Sequence, residues 1–138
     1  MAQELAGFRV LVVEDEYFLA VELEDELEMA GAVVIGPIGD LEGALQQVRG
    51  DGFDLAVLDL NLGGNRAYPV ADALAERGVP FVFASAYTSA EIPLRHEHVR
   101  LVEKPYSPSS LIKGLIELTT NASRPASLQA GAFREPTK

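Results

Sequence analysis

Leu55-Ala-Val-Leu58, closed by Asp59, is the stretch on which the fold turns. Four consecutive apolar residues without polar alternation describe a strand covered on both faces, as in a parallel sheet. Working outward, Val10-Leu-Val-Val13 runs into Glu14-Asp15, Phe81-Val-Phe-Ala84 into Ser85, and Leu101-Val102 into Glu103-Lys104, with a shorter run at Val33-Val-Ile35. These runs are rich in β-branched or aromatic residues and read the same way. Between them lie helical patterns. Ala20, Leu23, Leu27 and Ala30 step by three, four and three, acids from Glu22 to Glu28 fill the solvated faces, and Gly31 stands at the stop. Asp40 is placed to cap a second helix carrying Leu41, Ala44, Leu45 and Val48 up to Gly50, and Val70–Arg77 ends at Gly78 as a third. Ser107-Pro108 is a cap followed by a first-turn proline, opening a last helix through Leu111, Ile112, Leu115, Ile116 and Leu118.

Strand and helix alternate five times, which predicts an α/β fold with a doubly wound, five-stranded parallel sheet. Right-handed crossovers then put helices on both faces, and the expected strand order is 2-1-3-4-5. The fourth helix belongs between Thr88 and His98, where Pro93 interrupts and Ile92 and Leu94 are the large apolar residues, so a short or mobile helix is expected there. His96 and His98 read as solvated loop residues. From about residue 121 to 138 the chain is aperiodic, with many small residues and prolines, and reads as a flexible tail behind a domain of residues 1–120.

The 138 residues suit one ordinary domain, 48% apolar and 23% charged. With 11 basic and 21 acidic residues the net charge is −10, and the tail's Arg124, Arg134 and Lys138 leave the body more acidic still. Such a surface repels phosphate backbones and anionic lipid, so neither nucleic acid nor membrane is an expected partner. No apolar run approaches a spanning helix and Met1–Gly7 lacks the basic and apolar parts of a signal peptide, which gives a cytoplasmic expectation. The absence of cysteine removes disulfides and thiolate chemistry, and two histidines do not make a zinc site, so any ligand chemistry rests on oxygen.

Ligands of an open parallel sheet sit beyond the carboxyl ends of its strands. This reading places Glu14, Asp15, Asp59, Ser85 and Lys104 there. Taken singly each has a plain explanation: acids favour helix N-termini, a Lys-Pro step is commonly a loop, and a serine closes many strands. Their joint arrival at four strand ends is what demands chemistry. Two like charges about 4 Å apart repel by ~4 kcal/mol at an effective dielectric near 20, so three carboxylates trap protons or take up a cation. With oxygen ligands and an edge open to water, Mg2+ is the expected ion. Three carboxylates, a divalent ion and Lys104 sum to zero, which lets a phosphoryl group enter without a large electrostatic penalty, with Asp59 as nucleophile and Ser85 as a hydrogen-bond donor.

In Val10-Leu-Val-Val-Glu-Asp15, Leu55-Ala-Val-Leu-Asp-Leu-Asn-Leu-Gly-Gly64, Phe83-Ala-Ser-Ala86 and Glu103-Lys-Pro105, the chain resembles the receiver domain of two-component response regulators over about residues 8 to 120. The resemblance implies a flavodoxin-like fold in which Asp59 accepts a phosphoryl group from a histidine kinase or phosphotransfer protein. It also implies that Asp15, Asp59 and the main-chain carbonyl of Asn61 ligate Mg2+, while Glu14 holds a metal-bound water. Ser85 and Lys104 would bind phosphoryl oxygens, and a cis bond before Pro105 would aim Lys104 into the site. Pro80-Phe-Val-Phe-Ala-Ser-Ala-Tyr87 is similar to a receiver subgroup whose fourth strand reads Pro-Phe-x-Phe-Ala-Thr-Gly-Tyr, with Ser85 for threonine and Ala86 for glycine. Alanine lacks the backbone freedom of that glycine. Most receivers carry an aromatic switch three positions before the lysine. Here that position is Leu101, which leaves Tyr87 and Tyr106 as the nearby rings able to report phosphorylation.

The function expected is that of a single-domain response regulator: a phosphoacceptor rather than a conventional enzyme, with self-catalysed phosphorylation and dephosphorylation within its chemistry, signalling through an unidentified downstream protein. The alternative is an interaction module on the same fold that works without phosphorylation, against which the complete set of acids, hydroxyl and lysine argues. An FMN carrier on this fold would need a hydroxyl-rich, anion-binding loop where Glu14-Asp15-Glu16 stands.

Overall fold

The computed structural model describes residues 3–50, 52–86 and 92–119. Along the chain run β1 (Arg9–Val13), α1 (Tyr17–Met29), β2 (Val33–Ile38), α2 (Leu41–Arg49), β3 (Leu55–Asp59), β4 (Asn61–Leu62), β5 (Asn65–Arg66), α3 (Tyr68–Glu76), β6 (Phe81–Ser85), β7 (Leu101–Glu103) and α4 (Pro108–Thr119). The main sheet is parallel, in the order β2-β1-β3-β6-β7, while β4 and β5 form a separate antiparallel hairpin. Setting that hairpin aside, the five long strands follow the expected order 2-1-3-4-5.

Alternate residues of the central strands pack to opposite faces, as the period of a strand requires. Val10, Val12, Leu55, Val57 and Val82 join Leu23 and Leu27 of α1 and Leu111 and Leu115 of α4. Leu11, Val13, Ala56, Leu58 and Phe83 join Ala44 and Val48 of α2 and Val70, Ala71 and Leu74 of α3. The expectation that every strand is covered on both faces holds for β3 and β6, which are buried throughout, and fails at the edges. Val33 of β2 is 54% exposed and β7 is half-buried at Leu101 and Val102, because an edge strand is covered less completely.

Local signals work as the residue types suggest. The Asp40 carboxylate accepts from the Gly43 N–H at 2.9 Å, and Ser107 Oγ accepts from the Ser110 N–H at 3.3 Å. Gly31 has φ +94°, and a Cβ there would come within 2.9 Å of the Ala6 Cα, so the turn between α1 and β2 requires glycine.

The expected fourth helix falls partly on residues 87–91, outside the described residues. Beyond them the described residues hold a single 3-10 turn, Leu94–His96. His98 is exposed as expected, but His96 is not a solvated loop residue: it is 2% exposed. Its Nε2 lies 2.7 Å from Asp72 Oδ1 of α3, and its ring meets Phe81 and Phe83 edge-on. The sequence pattern missed this because a carboxylate 24 positions away provides the polar partner that lets an imidazole be buried.

Candidate functional site

Strand register brings the site together. Val13 pairs with Leu58, so Glu14 leaves β1 beside Asp59 at the end of β3; Asp59 pairs with Ala84, next to Ser85. Ser85 pairs with Glu103, and the Lys104 N–H donates to the Ser85 carbonyl at 2.7 Å, which sets Lys104 at the same edge. The peptide bond between Lys104 and Pro105 is cis, as the resemblance implied.

Lys104 Nζ donates to Glu14 Oε2 at 2.9 Å and to Asp59 Oδ2 at 3.0 Å, with Glu16 Oε2 farther off at 3.7 Å. Glu14 and Asp59 are buried, while Asp15 is exposed at the rim. One carboxylate oxygen from each of Glu14, Asp15 and Asp59 can be chosen so that all lie within 4.8 Å of one another. The Asn61 N–H donates to Asp59 Oδ1 at 3.0 Å and the Glu16 N–H to Glu14 Oε2 at 3.1 Å, whereas Glu14 Oε1 is buried without a partner. A cavity of about 220 Å³ opens over the cluster, lined by Asp15, Glu16, Asp59, Asn61, Ala86 and Lys104.

Burial pushes the Asp59 carboxyl up to about 7; the Asn61 N–H opposes the rise and the Glu14 charge adds to it. Burial pulls on Lys104 in the other direction, but its hydrogen bonds to Glu14 and Asp59 outweigh it and hold the ammonium above its ordinary range. The cation is thus fixed as a charged donor, and the nucleophile candidate is poised near neutrality. Three clustered carboxylates with one orphaned buried oxygen form a hard-oxygen set that suits Mg2+.

Ser85 is 1% exposed at the carboxyl end of β6. Tyr106 is buried, and its hydroxyl is buried without a partner; burial first, then the charges of Glu14, Asp59 and Glu16, hold this phenol well above its usual range. Tyr87 lies outside the described residues. Leu101, three positions before Lys104, packs against the α2–α3 face of the core. Sequence reasoning missed Gly63, whose N–H donates to Asp15 Oδ2 at 2.9 Å from the turn of the β4–β5 hairpin. The signal was present: Gly63 and Gly64, with φ of 58° and 91°, are the two residues between Leu62 and Asn65, a favoured composition for a tight hairpin turn. It also missed Tyr17 and Phe18, exposed aromatic residues stacked edge-on where α1 leaves the site.

A family model for the response regulator receiver domain matches residues 10–116. Among curated proteins the chain is similar to the transcriptional regulatory protein PdtaR of Mycobacterium tuberculosis, 27% identical over 120 residues. That alignment covers 84% of this chain and 58% of PdtaR, so the chain spans little more than half of that relative's length. Among solved structures it is similar to the solution structure of SdrG from Sphingomonas melonis Fr1, at 37% identity, TM-score 0.71 and coverage of 86% of this chain and 99% of SdrG. The BeF3-activated conformation of SdrG from Pseudomonas melonis Fr1 is similar at 38% identity and TM-score 0.68, over 82% of this chain and 97% of that one. Since the match begins in β1 and reaches into α4, taking in every strand end that carries a site residue, the chain belongs to the response regulator receiver domain family.

Proposed function

We propose that this receiver takes a phosphoryl group onto Asp59 from a phosphohistidine of a histidine kinase or phosphotransfer protein, and signals by binding another protein. The observation that carries this reading is the Lys104 ammonium set between Glu14 and Asp59, 2.9 and 3.0 Å away, on a buried acid cluster open to a small cavity. In the transfer an Asp59 carboxylate oxygen forms the new O–P bond while the P–N bond to the donor imidazole breaks. The imidazole nitrogen keeps the bonding pair, and the product is an acyl phosphate. Lys104 stays charged throughout and turns from the Asp59 carboxylate to the phosphoryl oxygens, which Ser85 meets with its hydroxyl.

Asp15, Asp59 and the Asn61 carbonyl would hold Mg2+, with Glu14 acting through a water. When bound, the ion supplies positive charge against the incoming phosphoryl oxygens. The Gly63 N–H steadies Asp15 at the rim, and the Asn61 N–H steadies Asp59. Asp59 must be ionised to attack, and a cation held beside it would favour the ionised carboxylate near neutral pH. A BeF3-activated conformation exists for SdrG, which supports trying the same mimic here. We take residues 1–120 as the receiver, residues 121–138 as a tail, Tyr87 and Tyr106 as the reporting rings in place of Leu101, and the cytoplasm as the place of work. Among the described residues no helix is long and apolar enough to cross a membrane.

Intact mass after exposure to acetyl phosphate tests the proposal. The parent is expected to gain one phosphoryl group with Mg2+ and none without it, and Asp59→Asn is expected to gain none. Failure of the parent to label under any condition would favour the interaction module.

A further inference from the structure

Asp72, on α3, gathers three N–H groups on one carboxylate: Arg95 Nε at 2.8 Å, Arg95 Nη2 at 3.2 Å and His96 Nε2 at 2.7 Å. Because the carboxylate accepts, the His96 proton sits on Nε2. The other ring nitrogen, Nδ1, is buried without a partner, so among the described residues Asp72 is the polar contact that holds the ring. The ring itself wedges edge-on against Phe81 and Phe83 of β6, with centroids 6.1 and 6.0 Å away, and Phe83 lies two residues before Ser85. Backbone bonds from His96 to Pro93, Glu97 to Leu94 and Val99 to His96 knit this stretch into one piece. The bond from Phe83 to the Arg100 carbonyl ties its far end to β6. Leu94 is 81% exposed and gives the turn no apolar anchor of its own, whereas Ile92 and Val99 on either side of it pack against the core.

We propose that Asp72, through His96 and Arg95, latches the Leu94–His96 turn onto α3 and β6, so that the piece from Leu94 to Val99 stays in place when the group on Asp59 changes. This regulatory device rests on the acceptor reading for its trigger, but the latch exists without phosphorylation. Of its two arms the buried imidazole matters more, because an exposed ion pair such as Arg95 with Asp72 contributes little.

Amide hydrogen exchange on the full chain tests it, first without metal and then with Mg2+ and beryllofluoride as the phosphoryl mimic. Without metal, Asp72→Ala is expected to raise exchange of residues 94–99 by about tenfold, Asp72→Asn by less because it keeps an acceptor oxygen, and Arg95→Gln by under about threefold. His96→Leu, which keeps an apolar side chain in the pocket, is expected to behave like Asp72→Ala. With the mimic, exchange of residues 94–99 is expected to be unchanged in the wild type and to change in Asp72→Ala. Unaltered exchange of residues 94–99 in Asp72→Ala, or a mimic-induced change through Val99 in the wild type, would overturn the latch. Absence of any mimic-dependent change in the wild type counts against the acceptor reading, and the metal-free comparison then decides the latch by itself.

Discussion

The Lys104 ammonium lies 3.0 Å from Asp59 Oδ2, bridging two strand ends that are 45 residues apart in the chain. Two parallel strands, β6 and β7, and the hydrogen bond from the Lys104 N–H to the Ser85 carbonyl hold that pairing in place. Lys104 is a donor and no metal ligand. Lys104→Ala is therefore expected to bind Mg2+ at least as tightly as the wild type at pH 9, well above the Asp59 titration at about 7, because a repelling charge is gone. The same variant is expected to lose the hydrogen-exchange response to beryllofluoride. Calorimetric titration and exchange measurements check the two halves, and a well-folded variant with weakened Mg2+ binding would contradict this placement.

Asp59 also makes stability depend on pH. Its carboxyl titrates at about 7 in the folded chain against a reference of 3.8, so the folded state binds this proton more tightly than the unfolded state. The contribution favours folding below about pH 4 and is lost as pH rises through about 7, at up to ~1.4 kcal/mol per pH unit. Urea titrations in chelator are expected to give a lower midpoint at pH 8 than at pH 5. Asp59→Asn is expected to reduce that difference and saturating Mg2+ to recover stability at pH 8. An equal pH response in parent and variant would assign the effect to other groups.

The Tyr106 hydroxyl and Glu14 Oε1 are both buried without partners. An unsatisfied buried hydroxyl costs ~1–3 kcal/mol, so Tyr106→Phe is expected to leave stability unchanged or raise it by up to ~1 kcal/mol. Urea unfolding at pH 7 checks this. A loss above ~1 kcal/mol would mean that the hydroxyl has a partner in solution.

At the opposite end of the sheet, Gly31→Ala is expected to cost ~1–3 kcal/mol, since φ is +94° and the added methyl would meet the Ala6 backbone at 2.9 Å. Mg2+ affinity of the folded fraction is expected to remain that of the wild type. Thermal unfolding and metal titration on the same sample separate the two effects.

The fold was legible because its central strands carry unbroken apolar runs and its helices carry stops and caps such as Gly31, Asp40 and Ser107. The clustering of Glu14, Asp15, Asp59 and Lys104 followed from where those runs end, since a parallel sheet delivers its carboxyl ends to one edge. What escaped notice depends on long-range pairing of polar groups. Nothing beside His96 in the sequence distinguishes it from a loop histidine, and Asp72 becomes its partner only once α3 packs beside β6. The Gly63 contact with Asp15 spans 48 residues, although the Gly63-Gly64 turn that makes it was readable. The exposure of Val33 depends on where the sheet stops, which an apolar run alone does not reveal.

The central claim is that the acceptor is Asp59, and trapping the acyl phosphate tests it most directly. After acetyl phosphate and Mg2+, borohydride reduction converts a phosphoaspartate to homoserine, and peptide mass mapping locates the changed residue. The account predicts conversion at position 59 and at no other acid, abolished by Asp59→Asn. Conversion at Asp15 or Asp54, or a phosphate that survives reduction on a serine, tyrosine or histidine, would contradict it.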